Sequence, residues 1–300
     1  MNSYQKAILD ARKQFLKLNK KQEKELLNLY KDLSNQLKID ISNCRTTSSE
    51  AYLKNLQKIV NDNIKNMSSD LKNIITTNIN TSSEIASSVD YVYYKAITED
   101  VTLLTSINNM VINTSRKTVE TLIKGEYYKD GLTLDKRIWN INKSNRNDIN
   151  KLIEQNILRG ANSRKLAKEV EKYVNPFKRT DAKTVVSGMS TKVSYQAQRL
   201  ARTSITHAFA ETTINNAKTN PFNIGLKWNL SPSHERDDIC DEYADRIFKP
   251  EEYPLEHPNG HCYPTEENIP IYEAIEELKA WTKGESNTKL DEWYSNLYMD

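Results

Sequence analysis

Residues 4–38 read YQKAILDARKQFLKLNKKQEKELLNLYKDLSNQLK. Tyr4, Ile8, Ala11, Phe15, Leu18, Leu26, Leu29, Leu33 and Leu37 recur at steps of three and four, broken only where Gln22 takes the apolar row, and Lys and Glu fill the other faces. A 3.6-residue turn gathers such positions on one side of a helix, so this stretch predicts one long amphipathic helix. After a polar break at residues 42–50, the spacing returns in Leu53, Leu56, Val60, Ile64, Met67, Leu71 and Ile74, which predicts a second long helix antiparallel to the first. Residues 83–123 carry Tyr91, Tyr94, Ile97, Val101, Leu104, Ile107 and Val111 in the same way and predict a third. The many Ser and Thr residues there favour a helix less. Long helices with one apolar stripe must pack on each other or on another protein.

The rest of the chain is shorter-stepped. Gly125 and Gly131 bracket a turn ahead of Leu132, Leu134, Ile138 and Trp139, where a connector begins. Asp148 is read as the cap of a short helix through Leu158 and Gly160 as its stop. Asn162 or Ser163 caps the next helix, residues 164–174, and Asn175-Pro176 ends it. Residues 191–218 carry Tyr195, Leu200, Ile205, Phe209 and Ile214 at helical spacing. At Leu226, Trp228 and Leu230 the period changes to two, which predicts a short strand. A Pro-rich loop follows, since seven of the eight prolines lie between Pro221 and Pro270. Residues 271–282 and 290–299 are expected to close the chain as helices, with Trp281 and Trp293 as anchors. The expected fold is mainly α: an elongated helical N-terminal part joined to a small, loop-rich α+β C-terminal module. Its expected segments are 1–123, 124–220, 221–270 and 271–300.

Charge is divided along the chain. The formal charge is +3, yet residues 231–300 hold 18 Asp and Glu against 6 Lys and Arg, a local −12, which leaves +15 on residues 1–230. A basic body binds polyanions in a salt-dependent and sequence-indifferent way, so non-specific DNA contact is one reading and solvated helix faces are the other. No run is long and apolar enough for a membrane span and residues 1–20 lack an apolar leader core, so neither a membrane nor a secretory route is expected. Three cysteines are too few to staple 300 residues, which fits a reducing compartment.

All four histidines and two of the cysteines lie between His207 and Cys262. Cys240, His257, His261 and Cys262, with His234 and Asp238 in reserve, make a thiolate and imidazole set of the kind tetrahedral zinc takes. Neighbouring side chains diverge in extended backbone, so His261 and Cys262 do not both reach one ion easily, and His234 can replace either. A structural zinc would stand in for the core that a loop-rich module of about 50 residues lacks. The other reading makes the cysteines buried small hydrophobes and the histidines surface residues. His257, Asn259 and His261 also suggest a metal-dependent nuclease with an imidazole base. No Walker A, G-x-G-x-x-G or G-x-S-x-G sequence occurs, so nucleotide hydrolysis and serine-esterase chemistry lack their usual entry points. Arg199, Arg202 and His207 are expected to pair with Asp237, Asp238, Asp241 and Glu242 rather than to hold phosphate, and Trp228 to pack a junction.

Four stretches together carry a resemblance: residues 127–139 (YYKDGLTLDKRIW), residues 157–174 with the Gly160 turn, Arg199-Leu200-Ala201-Arg202-Thr203, and Trp228-Asn229-Leu230-Ser231 with His234, Asp238, Cys240-Asp241 and His257-Pro258 through Cys262. In this order they resemble the phage head-morphogenesis family, the Mu F-like minor capsid proteins found beside the portal of tailed phages. The chain differs from the family pattern at Ser204, where members often have Glu, and at Tyr243 and His261 within the cysteine segment. The resemblance implies a non-enzymatic virion component, assembled in the bacterial host cytoplasm, with portal, capsid and scaffold proteins as partners and DNA packaging as its setting.

Overall fold

The computed structural model describes residues 1–45, 49–178, 193–231 and 238–297. The fold is mainly α, with one small antiparallel sheet in the C-terminal region, as the sequence predicts. The first stripe forms helix α1 (Ser3–Asn43) and the second forms α2 (Ser49–Ile97). The expected gap between the second and third helices does not exist at residue 83: α2 runs on through the Ser- and Thr-rich stretch, and α3 (Val101–Lys124) starts only after Asp100. The Asp100 carboxylate caps α3 by accepting from the backbone N–H of Thr102 and Leu103. Those serines are tolerated because they find partners across helices rather than competing with their own backbone. Ser83 lies 2.6 Å from the hydroxyls of both Ser115 and Thr212, and Ser82 donates to the Ile205 carbonyl at 2.7 Å.

The chain divides into two compact units, each drawn from separated stretches. The first holds Met1–Asn19, Thr77–Tyr127 and Arg202–Asp300, and the second holds Lys20–Thr76 and Tyr128–Ala201. Both long helices therefore contribute to both units. They run antiparallel: Phe15 packs with Ile85 and Ala86 in the first unit, and Asn63 donates to Asp40 at 2.8 Å in the second.

In the second unit, α4 (Leu134–Leu158) and α5 (Ser163–Val174) join the C-terminal part of α1 and the N-terminal part of α2. Thr133 caps α4, which is one continuous helix, so Asp148 lies inside it and is no cap. Asp148 is buried and instead accepts from the Tyr173 hydroxyl at 3.3 Å. Asn162 does cap α5, accepting from the Lys165 N–H at 2.9 Å, and Asn175 ends it, as read from the sequence. Tyr30 is wholly buried, and its hydroxyl accepts from Asn145 at 2.9 Å. At Glu171, burial raises the carboxyl pKa, but hydrogen bonds and charge from Lys178 (2.7 Å) and Lys38 (3.0 Å) outweigh this and hold it below the usual range.

In the first unit, α6 (Tyr195–Thr219, from Arg202 onward) leads into strand β1 (Asn223–Asn229). β1 is the centre of a sheet ordered β2-β1-β3, with β2 at Ile247–Phe248 and β3 at Tyr263–Asn268. Gly225 allows the close approach of β2, because a Cβ there would sit 2.4 Å from the Ile247 side chain. A short helix α7 (Ile239–Tyr243) interrupts the segment expected to be loop, and α8 (Ile271–Thr282) and α9 (Thr288–Asn296) close the chain. Trp293 is 3% exposed and stacks on Tyr94 at 5.8 Å, the anchor expected of it. Trp281 is only partly buried and donates its indole N–H to Asp291 at 2.8 Å.

Beneath this sheet two carboxyl groups meet away from water. Asp90 on α2 hydrogen-bonds Glu266 on β3, and both residues are 4% exposed. Asn216 donates to Asp90, and Asn220 donates to Glu266 at 3.0 Å. Burial first, then their mutual charge, raises the Asp90 pKa, and burial raises that of Glu266, so the pair retains a proton.

Candidate metal centre

The site is assembled by a cap, a turn and a clamp. Asp238 caps α7 through its Oδ1, which accepts from the Cys240 N–H at 2.8 Å, and the Asp241 carboxylate returns a bond to the Asp238 N–H at 2.9 Å. This fixes Cys240 at the start of α7, 1% exposed, in one buried cluster with Trp228 and with Cys262, which is 2% exposed. Trp228 is the junction residue expected from sequence: it stacks on Tyr253 at 5.2 Å and meets the edge of Tyr243 at 5.3 Å.

Opposite Cys240 the chain turns at His257-Pro258-Asn259-Gly260, where the Gly260 N–H donates to the His257 carbonyl at 3.0 Å and Asn259 takes a left-handed φ of 73°. A Cβ at Gly260 would fall 1.7 Å from Glu256 Oε1, so any side chain there would displace the Glu256 carboxylate. Helix α6 clamps this turn at four points. Arg202 donates to the Asn259 side chain at 2.7 Å, and Thr203 accepts from the Asn259 N–H at 3.0 Å. Thr206 donates to the Gly260 carbonyl at 3.1 Å, and the His207 ring lies 3.0 Å from the Glu256 carbonyl. Arg202 and His207 therefore hold the turn; of the acidic residues expected to attract them, Asp237 lies outside the described residues. From α1, Arg12 donates to the His261 carbonyl at 2.9 Å and covers the Tyr263 ring at 4.0 Å.

These contacts bring two overlapping ligand sets together. The ligand atoms of Cys240, Glu256 and Cys262 lie within 4.8 Å of one another, and so do those of Asp238, Cys240 and His257. His257 Nε2 is 3.3 Å from Asp238 and 3.5 Å from Glu256. Bonds of about 2.0–2.3 Å to a tetrahedral zinc put neighbouring ligand atoms roughly 3.3–3.8 Å apart, so the cluster needs little closure to hold a metal. Burial, then the Glu256 charge, pushes the Cys240 thiol far up, and burial raises that of Cys262. A bound dication reverses that logic and stabilises both thiolates.

Of the five residues read from sequence as ligands, Cys240 belongs to both sets, His257 to one and Cys262 to the other. His261 does not join either set: its ring faces Arg12 and Arg202, and burial followed by these cations lowers its pKa to about 4. Alternation at adjacent residues sends Cys262 inward and His261 aside, as expected of neighbours in extended backbone. His234 lies outside the described residues. Glu256, only 3% exposed, was missed.

Compared with family models, curated proteins and solved structures, the chain matches none. Among the described residues no helix is long and apolar enough to cross a membrane.

Proposed function

We propose that this chain is a structural minor head protein of a tailed phage, docking on the portal and inner capsid during assembly, with a zinc-stapled module in its first unit. One observation carries this reading. The Arg202-Thr203 pair and the His257–Cys262 turn, two of the stretches that resemble the head-morphogenesis family, meet at one place, where the first clamps the second beside the cysteine pair. Cys240, Cys262, Glu256 and His257 would hold the zinc, with Asp238, which faces the same Nε2 of His257 as Glu256 does, as a further carboxylate beside the ion. Two buried thiols with a buried carboxylate suit a closed structural site better than a catalytic one, which keeps an open position.

The charge division supports the same reading. Counted over the sequence, the second unit holds 26 Lys and Arg against 14 Asp and Glu, a net +12, and the first holds 17 against 26, a net −9. A basic unit of this size would lie along packaged DNA by counterion release, and an acidic one would face protein. The expected outcome is capture by the matching portal at low salt and presence in purified particles at few copies. An empty pull-down together with absence from particles overturns the proposal.

A metal-dependent nuclease is the second reading, favoured by the half-exposed His257 beside Asp238, an accessible imidazole and carboxylate next to a metal cluster. His257 and His261 do not share a site, which weakens it. Plasmid DNA incubated with pure protein and Mg²⁺, Mn²⁺ or Zn²⁺ separates the readings: turnover supports the nuclease, and binding without cleavage supports the head protein.

A further inference from the structure

A groove of about 570 Å³ runs between α2 and α4 within the second unit. It is the right size for a small ligand or a nucleotide or two of a longer chain. The contacts Lys72 to Asp135 (2.8 Å) and Ser68 to Asn142 (3.0 Å) align the helices in opposite directions, so Asn61 and Arg146 stand at the other end. Its cations come from both walls: Lys65 and Lys72 from α2, Lys143 and Arg146 from α4. Asp62 and Asp135 are its only lining acids, and Asp135 is already paired with Lys72. Lys65, Lys143 and Arg146 have no acidic partner among the described residues.

Trp139 opens onto this groove and is 48% exposed, an uncommon position for the largest apolar side chain. The ammonium groups of Lys136 and Lys143 sit over its ring, 3.9 Å and 5.1 Å from the centroid. Spacing i, i+4, i+7 puts Trp139, Lys143 and Arg146 on one face of α4, and Lys65, Ser69 and Lys72 repeat that spacing on α2. A flat ring flanked by cations without acidic partners is how proteins take a single nucleic-acid strand: a base stacks on the aromatic face while flanking phosphates replace counterions on the basic side chains.

We propose that the α2/α4 groove binds a single nucleic-acid strand, with one base displacing the Lys143 ammonium to stack on Trp139 and its phosphates on Lys65, Arg146 and the Lys143 ammonium so released. Duplex DNA keeps its bases stacked on each other and offers the ring no face. The inference goes beyond the contact with packaged duplex proposed above; the groove and its chemistry stand apart from that reading.

The test uses the full chain and a labelled oligodeoxythymidylate of about 15 nucleotides, within the usual range of site sizes. Anisotropy gives the affinity as a function of salt, and tryptophan fluorescence reports stacking. The expected result is saturable binding with quenching, at least about tenfold tighter than a duplex of equal length. Lys143→Glu/Arg146→Glu should weaken it at least about tenfold and reduce the slope of log affinity against log salt by about 1.4, two phosphate contacts. Trp139→Ala should remove the quenching and weaken binding about tenfold. Lys20→Glu/Lys24→Glu makes the same charge change on an exposed face of α1 and should cost less than about threefold. Equal losses from the two charge variants, equal affinity for duplex, or binding without any change in tryptophan fluorescence overturns the proposal, as does tighter binding to polyglutamate, which would make the groove a protein-docking surface. The comparison of strand with duplex needs no variant and tests the proposal even if one misfolds. Particles that still contain a groove variant unable to bind the strand would leave the assembly reading intact; a chain that binds the strand but never enters particles would do the reverse.

Discussion

The two units solve the same packing problem with different means. The second unit is helical throughout its described residues and closes over apolar stripes, with Tyr30, Leu37, Leu56, Leu71 and Ile153 at or near zero exposure. The first contains the sheet and buries much more chemistry: two thiols and Glu256 in one cluster, and Asp90 against Glu266 in another. Charge follows the division, +12 against −9. Long amphipathic helices bury enough surface to hold a unit together, whereas a small sheet with a loop-rich flank needs polar staples, each demanding its own partners.

Removing a staple should break the comparison most. Cys240→Ser/Cys262→Ser removes the two thiols that would hold the proposed zinc, and a structural zinc contributes on the order of 10 kcal/mol to small modules. We expect residues 223–268 to become protease-sensitive and to exchange amide hydrogens freely while residues 20–76 stay protected. Unchanged protection of residues 223–268 would mean that aromatic packing around Trp228 suffices.

Acidity sharpens the contrast, because the two units should respond with opposite signs. The Asp90 and Glu266 pKa values are raised in the folded state, so from about pH 4 upward the unfolded chain gives up protons that the fold keeps. The first unit then loses stability with rising pH, by about 1.4 kcal/mol per pH unit for one retained proton, until the raised pKa is passed. Tyr4, Tyr93 and Tyr94, Asn216 and Asn220, and Glu267 and Asn268 face or neighbour the pair from α1, α2, α6 and β3, and none supplies a compensating cation. Asp90→Asn mimics the protonated form and should flatten this slope and raise stability at pH 8. A slope that survives the substitution assigns the proton elsewhere.

Glu171 works the other way. Its pKa is depressed in the fold, so its contribution is present above the unfolded value near 4.5 and is lost as pH falls through the folded one. Its two lysine partners are about half exposed, which limits the effect. Glu171→Gln should cost the second unit about 1 kcal/mol at neutral pH and almost nothing at pH 2, read by denaturant melts of a probe in α5.

Much of this architecture was legible because helix stripes are local. Tyr4 to Leu37 announces α1, and Asn162 and Asn175 mark the ends of α5. Ser82 and Ser83 misled because their acceptors lie on other helices, at Ile205 and Ser115, which no local window contains. Asp148 looked like a cap for the same reason, its partner Tyr173 being on the next helix. In the site, Cys240, His257 and Cys262 stood out as rare residue types, while Glu256 did not, because acids are common and its role depends on burial. Asp90 and Glu266 are 176 residues apart, and only the fold brings them together.

The zinc staple is the claim on which the proposed architecture of the first unit turns, and metal content measures it directly. Protein purified without chelator, analysed by elemental mass spectrometry, should carry about one equivalent of zinc, and the Cys240→Ser/Cys262→Ser form should carry none. Wild-type protein holding less than a few tenths of an equivalent after exposure to zinc, with the module still protected, would contradict it.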